Sequence, residues 1–282
     1  MGIAFTLVLL SGALHSVWNL FTKRSGSKDA FLWHSQWVSI IVFLPLIYSD
    51  ARKIEWGAMA ILLIGLSMIL HAVYTILLAK AYTVGDLSQV YPIMRGTSPL
   101  IVPIVGILLL GESLSLLGWL GILIIIGGIV TLSRSSRSNS KIPTNKSAVL
   151  YAFAIGVCIA SYIVVDKLAL TYVPLFALNA ATNVGNLIAL TYFAQRSGQW
   201  REEWRVNRLA IVFVGVIAPG GYLLFLQALS MADVAALAPM REIGTAFGAM
   251  LGVWLLKESN GSVRIPAAIL ITIGVIIIGI YH

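Results

Sequence analysis

Apolar stretches long enough to cross a membrane follow one another along this chain with only short polar connectors between them. Within them run uninterrupted apolar segments such as Ile101–Leu110 and Ile269–Ile280, with no charged residue. A helix needs roughly 20 apolar residues to cross the ~30 Å of hydrocarbon in a bilayer. Lipid excludes open sheet edges, and these runs are too continuous for the alternation of a barrel strand. The composition agrees: 59% of the 282 residues are hydrophobic, 11% are charged, and the mean hydropathy is +0.93. Soluble domains average ~45–50% apolar and ~25% charged. The expected fold is therefore an all-α membrane protein of about ten transmembrane helices. They are placed near 3–22, 31–48, 57–80, 89–110, 114–132, 148–169, 174–195, 209–230, 234–256 and 264–281.

The net charge of +8 does not mark a nucleic-acid binder, because the basic residues are scattered through connectors, as membrane loops use them. The single cysteine, Cys158, excludes an intrachain disulfide or a CxxC metal site. The first apolar stretch has no basic leader and no cleavage-like site, so it reads as a retained span.

Residues 134–147 form the longest polar stretch, rich in Ser, Asn, Lys and Arg, and read as a flexible basic linker. This linker separates a first five-helix repeat, 1–133, from a second, 148–282. The halves match in register at rare residues. Gly12, Trp18 and Lys23 align with Gly156, Tyr162 and Lys167; Ala81, Asp86 and Pro92 with Ala228, Asp233 and Pro239; Arg95, Glu112 and Gly128 with Arg241, Glu258 and Gly274. Five is an odd number, so the second copy enters the membrane from the opposite side. Inverted repeats of this kind build secondary transporters whose site lies near the midplane, between the repeats.

The run Tyr91-Pro92-Ile93-Met94-Arg95-Gly96, then Gly111-Glu112-Ser113 and Gly127-Gly128, resembles the EamA-like branch of the drug/metabolite transporter (DMT) superfamily. So do Leu237-Ala238-Pro239-Met240-Arg241-Glu242 followed by Lys257-Glu258, and the early Trp18-Asn19 with Lys23. The resemblance covers both halves. It implies ten helices in two inverted five-helix repeats and transport of metabolites such as amino acids, often outward; the expected location is the plasma (inner) membrane. It implies no particular substrate.

Ionisable groups inside a span are costly and usually face the bundle interior. Arg95 and Arg241 are the leading pair: each follows a proline at the start of its helix, and together they would line a cavity for a carboxylate or phosphate. The alternative is that each snorkels toward a membrane surface. Glu242 is the one acid placed well inside a span, with Arg95 or His71 as its expected partner, either as a structural ion pair or as a proton carrier. Trp18, Asn19, Tyr91, His71 and Tyr162 (the counterpart of Trp18) complete the candidate substrate-binding set. Asn179 and Asn183 join them, on one helical face with Asn186.

Pro219-Gly220-Gly221 is expected to break its span near the centre, and Gly244, Gly248 and Gly252 to pack against another span of the same chain. No HExxH and no phosphate-binding loop occurs, so neither a cofactor nor a metal is expected, and the chain reads as a non-enzyme. Expected partners are a small-molecule substrate and the bilayer, not nucleic acid, with the chain a monomer or homodimer. The alternative to a metabolite exporter is a flippase for a lipid-linked substrate. Most of the 19 basic residues lie in connectors after odd-numbered spans, and only Arg52, Lys53 and Lys167 lie in the others. The positive-inside rule then puts both termini outside, whereas the resembled family is described with both inside.

Overall fold

The computed structural model describes residues 2–84, 87–136, 146–255, 257 and 261–282. Asp86, Glu258 and residues 137–145 of the expected linker lie outside the described residues. The described residues form eleven helices. In the first half these are α1 (Gly2–Arg24), α2 (Lys28–Ala51), α3 (Ala58–Val84), α4 (Leu87–Leu110) and α5 (Leu116–Ser136). The second half has α6 (Lys146–Ala169), α7 (Leu175–Ser197), α8 (Trp200–Met231), α9 (Val234–Met240), α10 (Ile243–Trp254) and α11 (Gly261–Tyr281).

Eight of these are long and apolar enough to span a membrane. α7 is long enough but carries the Asn face, and α9 and α10 are two short pieces of one interrupted span. Counting these two gives ten spans in two sets of five. The outside is apolar: Leu108 is 75% exposed and Leu209 83%. A surface of that kind is stable only against lipid tails.

The helix pairings reproduce themselves when the halves are exchanged. α5 packs on α11 and α2 on α7, each on its own counterpart. α1 packs on α8 as α6 does on α3, and α1 meets α9 and α10 as α6 meets α4. This is two-fold symmetry between inverted repeats.

Small residues set the closest crossings. A Cβ on Gly12 would lie 2.9 Å from the Gly244 nitrogen, and one on Gly244 3.0 Å from the Gly12 oxygen, so α1 and α10 meet backbone to backbone. The Ser16 hydroxyl lies 2.6 Å from the Gly244 carbonyl. Gly244 thus packs within the chain, while a Cβ on Gly248 would meet nothing within 4 Å.

Several charges in the repeats act as helix caps. Glu112, closing α4, accepts the Val234 and Ala235 N–H groups at 2.9 and 2.8 Å and so caps α9. Asp50 accepts the Phe176 N–H at the start of α7, and Glu203 accepts the Ser27 N–H at the start of α2. Lys167 donates to the Leu229 and Ala232 carbonyls at the end of α8. Carboxylates at N-termini and an ammonium at a C-terminus complement the helix dipole.

A short helical segment from Trp200 precedes the expected eighth span and is joined to it by a kink at Asn207, whose backbone is non-helical; Glu202 and Glu203 in its first turn favour a helix start at Trp200. Two sequence expectations change. The helix then continues through Pro219-Gly220-Gly221. The interruption in the core instead falls at Arg241–Glu242, where Glu242, Gly244 and Thr245 donate backward over three residues, a tight 3₁₀-like turn. Pro239 lies just before it and offers no N–H to the preceding turn.

Candidate functional site

A cavity of about 200 Å³ lies between the repeats. α1 contributes Ser11, His15 and Trp18, and α2 contributes Ser35 and Gln36. α3 supplies His71, Tyr74 and Thr75, and α6 supplies Tyr162. The Asn face of α7 (Asn179, Asn183, Asn186) and Pro219, Gly221 and Tyr222 of α8 form further walls, with Arg241 at the α9–α10 interruption.

The α7 stripe is polar because it faces this space, and each amide is also anchored. Asn179 donates to the Pro219 carbonyl at 3.3 Å, Asn183 to Ser39 Oγ at 2.8 Å, and Asn186 Oδ1 accepts from Thr75 at 2.8 Å. Three buried oxygens on residues of the lining, Ser11 Oγ, Gln36 Oε1 and Asn179 Oδ1, have no hydrogen-bond partner among the described residues. Buried polar atoms left unpaired are costly.

The two arginines have diverged in role. Arg95 Nη1 lies 3.3 Å from Glu242 Oε1, and its Nη2 lies 3.0 Å from His15 Nε2. Glu242 also accepts from Thr245 at 2.7 Å, and Thr245 lies 3.2 Å from the Tyr91 hydroxyl. Because a guanidinium only donates, His15 Nε2 carries a lone pair and its proton is on Nδ1. The Arg95–Glu242 pair sits behind His15 rather than on the cavity wall.

Arg241 faces the cavity. Its guanidinium lies over the rings of Tyr222 and Phe225, 5.1 and 4.3 Å from their centroids, and among the described residues it has no carboxylate partner. The alignment of the halves gives the reason: Arg241 is followed by Glu242, whereas Arg95 is followed by Gly96. The first repeat therefore has no acid to offer Arg241 in return.

Of the candidate residues, Arg241, Trp18, His71, Tyr162, Asn179 and Asn183 line the cavity. Arg95, Glu242 and Tyr91 form the network behind it, and Asn19 donates to its own helix at the His15 carbonyl, 2.7 Å away.

Glu242 is not the only buried acid. Asp166 is fully buried; it accepts from Ser67 at 2.6 Å and from the Tyr222 hydroxyl, and it lies 3.9 Å from His71 Nε2. In sequence it stands beside Lys167 near the end of its expected span. Its spacing of four from Tyr162, which puts both on one helical face, is the signal that would have found it. Tyr222 and Gln36 carry no such signal, since only the packing brings them to the cavity.

Two inverted sets of five helices closing on a polar cavity, with an interrupted helix at its edge, are the construction of a membrane transporter. A family model for the EamA-like transporter family matches residues 2–134 and 146–280, so the chain belongs to that family and is a multi-pass membrane protein of the DMT type. A solved structure described only as "Crystal structure of protein" is similar in fold, with a TM-score of 0.72 over 97% of this chain and 95% of its own at 19% identity. No curated protein matches the chain.

Proposed function

We propose that the chain is a secondary transporter that carries a small carboxylate- or other anion-bearing metabolite outward across the plasma (inner) membrane, with Arg241 receiving the anion. The observation that carries this reading is the Arg241 guanidinium, facing the cavity without a carboxylate partner among the described residues. A guanidinium facing a low-dielectric space with no carboxylate in contact attracts an anion strongly. Trp18, Tyr162, His71, Asn179 and Asn183 shape the rest of the site, while Arg95, Glu242 and Tyr91 hold the interrupted span in place behind it.

The cavity of about 200 Å³ favours a small solute over the lipid-linked substrate of a flippase, being below the roughly 300–1,000 Å³ of drug-sized sites. The test is counterflow in proteoliposomes over a panel of amino acids, short carboxylates and phosphorylated metabolites. The reading requires at least one anionic solute to exchange through wild-type protein and to lose that exchange in Arg241→Gln. Equal exchange by both proteins for every solute on the panel would refute it.

A further inference from the structure

The geometry points to His71 and Asp166 as a proton-binding site of the transport cycle, linked to the solute anion through Tyr222 and Arg241. The inference rests on the anion reading of Arg241 for its linkage but not for the site itself.

His71 Nδ1 lies 2.9 Å from the Ser67 carbonyl oxygen. A carbonyl only accepts, so Nδ1 holds a proton. In the neutral ring Nε2 then has a lone pair, and it faces Asp166 Oδ2 at 3.9 Å. A lone pair set against an ionised carboxylate is repulsive. One added proton, on Nε2 as imidazolium or on Oδ2 as carboxylic acid, makes the contact attractive. The unprotonated state is supported too, because Ser67 and Tyr222 each donate to the carboxylate. Both states are therefore accommodated, as a group that loads and unloads a proton requires. Asp166 is sealed from the cavity while His71 and Tyr222 line it, which gives the proton a route from cavity water.

The surroundings leave this pair as the exchangeable one. On its own helix His71 has Tyr74, and α6 presents Tyr162, with ring centroids 4.2 Å apart, and Cys158, whose thiol donates to the Leu70 carbonyl. α7 faces the pair with amides, and Lys167, next to Asp166 in sequence, is held by the Leu229 and Ala232 carbonyls. α4 carries Tyr91 and Arg95, but Arg95 is committed to Glu242, so Glu242 is a neutralised partner rather than the proton carrier.

Tyr222 bridges the two sites: its hydroxyl donates to Asp166 while its ring lies under Arg241, 5.1 Å away. With the cavity empty, Arg241 offsets the Asp166 charge. An anion on Arg241 cancels that offset, and taking a proton onto the pair restores it. Linkage is reciprocal, so anion and proton each favour binding of the other. Carried together, a monovalent anion and a proton add no net charge to the step that crosses the membrane, where moving a bare charge is expensive.

The test is a pH titration of ¹⁵N-histidine-labelled protein in lipid nanodiscs by NMR, with acetate as the probe anion. His71 is assigned by its absence in His71→Gln. In wild type its proton is expected to bind about tenfold more tightly than in Asp166→Asn, a shift of about one pH unit. Tyr222→Phe, which removes one hydroxyl from an otherwise intact wall, is expected to move the midpoint by less. Asp166→Glu replaces Asp166→Asn if the latter does not fold. Acetate is expected to shift the wild-type midpoint and to leave that of Arg241→Gln unchanged. A His71 midpoint that is the same in wild type and in every Asp166 and Tyr222 variant overturns the site. A midpoint that responds to Asp166 but ignores acetate supports the proton site and overturns the anion reading of Arg241 instead.

Discussion

Glu112 joins the two repeats at the point where the interrupted span begins, and its removal gives a direct test of the fold. Its carboxylate accepts the N–H groups of Val234 and Ala235 at 2.9 and 2.8 Å, and both residues are fully buried. The N-cap residue Asp233 makes no side-chain cap bond of its own. Gly106 makes room for the arrangement, since a Cβ there would lie 2.6 Å from Glu112 Oε2. In Glu112→Ala two buried donors lose their acceptor. Each unsatisfied donor costs about 1–3 kcal/mol, and losing a negative charge at a helix N-terminus adds about 0.3–1 kcal/mol. The expected loss is on the order of 3 kcal/mol. Glu112→Gln keeps one accepting oxygen and turns an NH₂ toward the second N–H, so it should lose about half as much. Thermal unfolding of purified protein in nanodiscs of fixed lipid composition should rank wild type above Gln above Ala. If both variants unfold within about 0.5 kcal/mol of wild type, the capping argument is wrong.

Three further outcomes are expected. Arg95→Gln strands Glu242 in a buried site and should destabilise the protein by about 3 kcal/mol, the low end for a broken buried pair because Arg95 keeps 21% of its side chain exposed; the double variant Arg95→Gln/Glu242→Gln should recover much of that in the same unfolding assay. Gly244→Val forces α10 off Gly12 and should cost about 1–3 kcal/mol as overpacking, while Gly248→Val, with nothing within 4 Å of its Cβ position, should unfold like wild type. Reporter fusions at His282 and at Asn139 should give opposite signals, since ten spans put the termini together and the linker between five-span halves on the other side; matching signals would refute the span count.

The helices were legible in the sequence because the constraint that makes them is local. In lipid every backbone N–H and C=O must be satisfied within its own segment, so an apolar run long enough to cross fixes a helix with no knowledge of its neighbours. The duplication was legible for a related reason: Pro92 and Pro239, Arg95 and Arg241 are rare enough in an apolar chain for their order to carry information. Two of the rare matches serve the fold as caps, Glu112 on α9 and Lys167 on α8, and their partners lie in other helices and cannot be read from spacing.

The site was decided by packing. Periodicity gave Asn179, Asn183 and Asn186 a common face, but only the position of α7 against α3 and α8 makes that face a cavity wall. Arg95 and Arg241 hold equivalent places in their repeats, and the difference between them is a carboxylate: Glu242 reaches Arg95 across the two-fold axis, while Gly96 offers Arg241 none. Asp166 lies near the end of its expected span, next to Lys167, with nothing local to single it out, whereas its burial comes from Ser67, His71 and Tyr222 on two other helices. Backbone hydrogen bonding in a membrane is settled within a segment, but the pairing of buried charges depends on atoms far apart in sequence, and so it waits for the tertiary structure.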